Sequence, residues 1–273
     1  MKFISYAQNF EDIRLWRALK FFDKGFYIDV GANDPSFDSV TRAFYDRGWT
    51  GINIEPVQAF YGLLSQQRPK DINLQYVASD VDDSDFCFYE VTGTGLSTMV
   101  EAIAKEHEES GREVHKRSVR SRTLNSICDE YVIGDIHFLK IDVEGHEESV
   151  LQGIDLKKWR PWIILVETPF HRDQVWEKII IEAHYIAILF DGLNTFYLAE
   201  EHMNLAEAFE TPPSYLDDFH LCYGHNYSYP VNNAESAIRS ERDRADKAEA
   251  ELAIIKQSKG WRAIRRLKSL IGK

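Results

Sequence analysis

Asp142-Val143-Glu144-Gly145-His146-Glu147 places three acids and a histidine within six residues, directly after the apolar run Ile136 to Ile141. Glu167 closes a second apolar run, Trp162 to Val166, and His171 follows it closely. Carboxylates or an imidazole at such a point could take a proton from a poor nucleophile such as an alcohol, over a reach of about 2.6–3.2 Å. Asp142, Glu144, His146 and Glu167 are the candidates for that role, with His171 behind them. Asp142, Glu144 and Glu167 could instead hold Mg²⁺, which would polarise a hydroxyl directly. The plainest reading of Glu147 and Glu148 is solvent exposure at a helix N-terminus, where acids are stabilised.

A second group of residues stands just past other apolar runs. Asp29-Val30-Gly31-Ala32-Asn33-Asp34-Pro35 offers a carboxylate and then a glycine, which lacks the Cβ that would keep a ligand away from the backbone. Glu55 lies 26 residues beyond Asp29, where an acid can accept both hydroxyls of a ribose. Ala78-Ser79-Asp80 could hydrogen-bond an adenine amine. A dinucleotide fits less well. Of the GxGxxG fingerprint only Gly31 is present, and Asp34 would repel a diphosphate. Tyr-x-x-x-Lys, GxxxxGK[ST] and HExxH are all absent. The ligand these residues suit is a nucleoside that lacks phosphates and carries a cation, a description that S-adenosylmethionine meets.

Positioning such residues requires strands that end together, and short apolar runs alternate here with helical patterns, the signature of βαβ units and a parallel sheet. Strands are predicted over residues 26–30, 51–55, 72–78, 136–141, 162–166, 185–190 and 195–198. Helices are predicted around 40–46, 57–67, 123–130 and 172–183, and the last two strands should form a hairpin around Asp191-Gly192. The segment 80–122 is less regular, with short strands at 86–91 and 114–119. Within it, Ser97-Thr98 could form a flexible loop on the acceptor side, or an ordinary turn. Seven core strands with helices on both faces make a doubly wound sheet. In such sheets ligands bind at the carboxyl ends, near the point where strand order reverses.

Residues 26–35, Gly51-Ile52-Asn53-Ile54-Glu55-Pro56 and Phe138-Leu139-Lys140-Ile141-Asp142-Val143-Glu144-Gly145 together resemble the FkbM-type S-adenosylmethionine-dependent methyltransferases. Ser5-Tyr6-Ala7-Gln8-Asn9-Phe10-Glu11-Asp12 and Asp191-Gly192-Leu193-Asn194 are similar to that family too, so the resemblance spans roughly residues 3–200. It implies a class I methyltransferase (Rossmann-like) fold and methyl transfer to an oxygen, often a sugar or polysaccharide hydroxyl. By that likeness Asp29, Gly31 and Asn33 belong to the methionine-side loop. Glu55 and Pro56 sit at the ribose, Ser79 and Asp80 flank the adenine, and Asp142 and Glu144 line the reaction chamber. Gln8, Asn9 and Glu11 would cap the pocket; without the resemblance they read as an N-capped surface helix.

Composition bounds the rest. With 44% hydrophobic and 13% aromatic residues the chain can bury a sizeable core. Three scattered cysteines make neither a disulfide framework nor a zinc knuckle. The net charge of −12 argues against nucleic-acid binding. Residues 256–273 carry seven basic side chains and no acid, leaving −19 on residues 1–255. A methyltransferase domain over 1–230 is therefore expected, followed by a helical tail over 231–273. Ile238, Ala245, Ala248, Leu252 and Ile255 fall on an a/d heptad, predicting a coiled coil over 234–255 that would pair with itself or with a partner coil. Trp261, Ile264, Leu267 and Leu270 alternate with basic residues, as in a helix lying on an anionic membrane surface. The opening residues do not read as a signal peptide, which predicts a cytoplasmic protein, peripheral at the inner face of the membrane if the tail binds there. The sequence reads as an O-methyltransferase of a glycan hydroxyl. The alternatives are a polyketide or other small natural product as acceptor, and a non-catalytic assembly protein that keeps the cofactor pocket.

Overall fold

A strand covered on both faces has no polar side to show, and Phe26–Val30, Phe138–Ile141 and Ile163–Glu167 are apolar at nearly every position. They form the centre of the sheet in the computed structural model, which describes residues 2–168 and 174–228. In chain order the first elements are β1 (Phe3–Ser5), α1 (Glu11–Leu19), β2 (Phe26–Val30), α2 (Arg42–Tyr45), β3 (Thr50–Ile54), α3 (Gln58–Gln67) and β4 (Ile72–Leu74). There follow β5 (Val77–Ala78), β6 (Asp85–Val91), α4 (Glu101–Glu109), β7 (Val114–Arg122), α5 (Leu124–Tyr131), β8 (Phe138–Ile141) and α6 (Glu147–Gln152). β9 (Ile163–Glu167), α7 (Glu177–Glu182), β10 (Tyr185–Phe190), β11 (Asn194–Ala199), two 3₁₀ helices (Glu200–Phe209 and Tyr215–Asp217) and β12 (Phe219–Leu221) complete it.

The main sheet has seven strands in the order β10-β11-β9-β8-β2-β3-β4, and only β11 runs against its neighbours. From β2 the chain works outward to β3 and β4; from β8 it works outward on the other side. Strand order therefore reverses between β2 and β8, and the carboxyl ends of those two strands open the crevice where α/β sheets bind ligands. Alternation along each strand sorts the core into two layers. Ile28, Val30, Leu139, Ile141 and Val166 face Leu124, Ile127, Val150 and Ile180 on one side of the sheet. Tyr27, Phe138 and Leu165 face Leu15, Leu19, Phe44 and Phe209 on the other. Residues Met1–His225 make one compact unit.

The seven strands expected for the sheet are those found, with one correction. The run 72–78 divides: Ile72–Leu74 stays in the sheet beside β3, whereas Val77–Ala78 turns away and pairs with Ser121–Arg122 of β7. The segment 80–122 is also more ordered than expected. β6 and β7 pair antiparallel from Asp85↔Arg120 to Val91↔Val114 and, with β5, make a second sheet of three strands, with α4 in the connection. We call it the roof. α1 is no surface helix either: Glu11 and Asp12 are buried, and the helix starts after Phe10, which is left-handed (φ 62°) and offers no side-chain cap. Of the helix expected over 172–183, Glu177–Glu182 is present and 172–173 lie outside the described residues. His171, the coil over 234–255 and the basic helix over 256–273 also lie outside them. Among the described residues no helix is long and apolar enough to cross a membrane.

Candidate active site

A cavity of about 240 Å³ opens at the switch point, and its wall includes Asp29, Gly31, Asn33, Glu55 and Pro56 from the first two strand ends. Gly31 is needed for a reason the sequence does not show. Its φ is +76°, and a Cβ there would stand 1.9 Å from the carbonyl oxygen of Asp142, so the glycine lets two loops of the site touch. Asn33, also left-handed (φ 49°), donates its N–H to Glu55 Oε2 (2.8 Å), and Val57 N–H donates to Glu55 Oε1 (2.7 Å). Burial pushes the Glu55 carboxyl up to about 7, against the pull of those two backbone donors. Each of its oxygens keeps a second acceptor direction.

From the opposite side Asp142, Glu144, His146 and Glu167 line the same cavity. Carboxylate oxygens of Asp142, Glu144 and Glu167 lie within 4.8 Å of one another. The cation that stabilises this arrangement is Lys140. Its ammonium is 3.2 Å from Asp142 Oδ2 and 3.3 Å from Asp29 Oδ1, and it donates to the Gly31 carbonyl oxygen (3.1 Å). The β2–β8 register sets Asp29 directly opposite Lys140, and Asp142 follows two residues on, on the same face. Burial alone would strip the proton from Lys140, but Asp142 and Asp29 outweigh it and hold its pKa above the ordinary lysine value. Burial likewise works to raise Asp142, yet Lys140 and a hydrogen bond with Glu167 keep it below the usual range. Glu167, buried beside that carboxylate, is pushed up to about 10 and is the protonated partner of the pair. Burial, then the charges of Asp142 and Glu147, bring Glu144 to about 7. Burial lowers the pKa of His146 against the pull of Asp80, and its ring stands edge-on to Phe86 with Nε2 3.3 Å from the Ser79 hydroxyl.

Ser79 and Asp80 are not brought to the wall. Ser79 is buried against Gly153, where a Cβ would come within 2.1 Å of its carbonyl oxygen, and its hydroxyl donates to Asp80 (3.0 Å). Val77 and Ala78 line the cavity in their place, because the chain leaves the main sheet after Leu74, four residues before the apolar run implied. Gln8 reaches the cavity, but Asn9 and Glu11 hold another segment instead. Asn9 Nδ2 donates to the Asp191 carbonyl (3.3 Å) and Asn194 Nδ2 donates to Glu11 Oε1 (2.8 Å). Ser97 lines the cavity while accepting from Val91 N–H (3.1 Å); Thr98 is fully buried.

Residues 29–209 match the methyltransferase FkbM domain family. The chain belongs to that family. The FkbM match starts at the acid of β2 and runs through the first 3₁₀ helix, so it contains the main sheet apart from the first three residues of β2, the roof, and every cavity residue named above except Gln8. A search of curated proteins finds no match. FkbM proteins are methyltransferases, and methyltransferases in general use S-adenosylmethionine. The donor set here fits that cofactor: a buried acid with free acceptor directions for a diol, and a wall rich in carboxylates for a sulfonium. Lys140, helix α4 and the pairing of the two expected strands at 86–91 and 114–119 with β5 into one roof are the parts the sequence reading missed. A lysine inside a buried strand needs a counter-charge, and that requirement was the available signal.

Proposed function

We propose that this FkbM methyltransferase moves the methyl group of S-adenosylmethionine to a hydroxyl oxygen of a saccharide acceptor. The observation that carries the reading is Glu144, on the wall shared with the Asp29–Glu55 half of the site and brought by burial to about 7. An alcohol needs a base as its oxygen attacks, and a base serves best with a pKa near the working pH. The cofactor supplies an electrophilic methyl on a positively charged sulfur. As the C–O bond forms and the C–S bond breaks, Glu144 takes the hydroxyl proton. Asp142 is a weaker base because Lys140 holds it ionised, and Glu167, already protonated, cannot take the proton. Positioning supplies much of the remaining acceleration. Gln8, Asn33, Thr94 and Ser97 give the wall hydroxyl and amide groups suited to a polyol. Phe60, Phe88 and Met99 give it the apolar area that a natural-product acceptor would use, and this is the runner-up.

A metal-assisted version would place Mg²⁺ among Asp142, Glu144 and Glu167. Lys140 already supplies a fixed positive charge to Asp142, which favours base chemistry. The test is transfer of labelled methyl from S-adenosylmethionine to saccharide extracts and to lipophilic hydroxylated compounds, with and without EDTA. Label in saccharides that survives EDTA supports the proposal; loss on EDTA moves the three acids to metal binding. Absence of transfer to any acceptor favours the assembly protein. The partners proposed for the tail rest on its sequence alone. Flotation with anionic liposomes, comparing the full chain with one ending at Ile255, decides the membrane part, and equal recovery would remove it.

A further inference from the structure

Glu144 stands in a backbone conformation that few side chains adopt, and something must hold it there. Its φ is 51°, and that of Gly145 is 96°. A non-glycine residue held in a sparsely populated conformation persists only where its surroundings over-determine it. The surroundings here come from the roof. Thr98 Oγ1 donates to the Glu144 carbonyl oxygen at 2.7 Å, and accepts from Val100 N–H at 3.0 Å, so its one proton is committed to Glu144. Thr98 is itself fixed: its N–H and C=O pair with those of Tyr89 in β6 at 3.0 and 2.9 Å, and its side chain is fully buried. α4 then packs onto the next residue. A Cβ on Gly145 would stand 2.9 Å from Ile103 Cδ1 and 3.3 Å from Val100 Cγ2. The same loop meets the cofactor half, since a Cβ on Gly95 would come within 2.8 Å of Asn33 Nδ2.

We infer that Thr98 is a positioning residue for the reaction: its hydroxyl pins the main chain of Glu144 so that the carboxylate faces the cavity. The inference rests on Glu144 being the base. Thr98 touches neither substrate nor cofactor in this role; it acts through Glu144. The roof thereby does more than cover the cavity, because the β6–α4 connection, bridged to β6 at Tyr89, also sets the angle of the group that removes the proton.

Thr98→Val keeps the shape, but removes both the donor to the Glu144 carbonyl and the acceptor of Val100 N–H. It should lower kcat about 10- to 100-fold, the scale on which small misplacements of a reacting group act. Affinity for S-adenosylhomocysteine and KM for S-adenosylmethionine should stay within about twofold, since the Asp29–Glu55 half is untouched; a general loss of structure would move all three. Thr98→Ser restores the hydroxyl and should restore turnover to within about threefold. Amide exchange over residues 143–147, read by mass spectrometry, gives an answer that needs no acceptor. It should quicken in Thr98→Val and not in Thr98→Ser. The inference is overturned if Thr98→Val turns over normally, if the serine variant fails to rescue, or if exchange over 143–147 is unchanged. A wild-type protein that transfers no methyl group sinks the proposed activity alone, and the exchange experiment then still decides whether Thr98 holds the loop.

Discussion

Lys140→Met isolates the charge at the centre of the site without asking for any activity. Methionine keeps most of the stem, so the change removes one ammonium from between Asp29 and Asp142, whose side chains are 1% and 25% exposed. Removing one partner of a buried ion pair costs about 3–5 kcal/mol, because the other charge is left without compensation. A quarter of Asp142 is open to water, which screens it, so the lower end, about 3 kcal/mol, is the expected loss at pH 7. Against a usual total of about 5–15 kcal/mol that is large but survivable. With a urea slope near 3 kcal/mol/M for a chain of this size, the midpoint should fall by about 1 M. The pH dependence carries the sharper test. In the wild type Lys140 holds Asp142 ionised, a contribution present above the unfolded carboxylate pKa and lost only in strong acid. In the variant the stranded acids bind protons more readily folded than unfolded, so their cost fades as pH falls toward about 4. The deficit should therefore be greatest at neutral pH and shrink on acidification. Urea melts at several pH values, followed by tryptophan fluorescence, read this directly. A loss below about 1 kcal/mol, or a deficit that grows as pH falls, would refute the assignment of Lys140 as counter-charge to both acids.

Glu55→Ala should weaken S-adenosylhomocysteine binding about 10- to 1000-fold, the loss of one or two charge-assisted hydrogen bonds, and calorimetry with an unchanged affinity would reject Glu55 as the ribose acceptor. Glu55→Gln should not rescue it, because an amide has one oxygen and its NH2 would face one of the two backbone donors, Asn33 N–H and Val57 N–H. Glu144→Gln should cut turnover about 10²–10⁴-fold with cofactor affinity kept, and Asp142→Asn should also lower it by releasing Glu167 and Lys140; near-normal rates in both would place the chemistry elsewhere. Glu11 and Asp12, buried and pushed up to about 7, favour the folded state most below the unfolded carboxylate pKa and progressively less as pH rises through 7. Thermal midpoints should fall between pH 5 and 8, at up to about 1.4 kcal/mol per pH unit for each acid, and Glu11→Gln should flatten that slope. Rising stability over the same interval would contradict the burial argument.

The strands at the centre were readable because a strand covered on both faces must be apolar, and β2, β8 and β9 are. The acids at their ends were readable for the complementary reason: Asp29, Asp142 and Glu167 interrupt or close apolar runs. Pairing between strands was not readable. Lys140 faces Asp29 only because β2 and β8 are neighbours in one register, and no local pattern states a register. The strands at 86–91 and 114–119 were readable, but the roof they build over the cavity escaped for a related reason. Lys116, Arg117 and Ser118 of β7 are exposed, so the strand lacks the apolar density of the main sheet. Its inward residues Phe86, Phe88 and Val119 cover Val57 and Val77, a contact made by the bend after β4. That same bend carried Ser79 and Asp80 away from the cavity.

The segment around α1 is held by partners far along the chain. Phe3 pairs with Phe219, Asn9 with Asp191, and Glu11 with Asn194, a separation of 183 residues in the last case. During synthesis at roughly 5–20 residues per second, the buried acids of α1 must wait roughly 10 to 40 s for those partners to emerge. Until then the helix has no hairpin to dock against, and Leu15 and Leu19 have no Phe196 or Phe209 to cover them. Loop closure over such a distance is also slow relative to local pairing. Helix α1 is thus among the last elements to settle, and its apolar face stays uncovered until the β10–β11 hairpin has been made. A chaperone that binds short apolar stretches would find its site there, in a stretch that the finished protein buries.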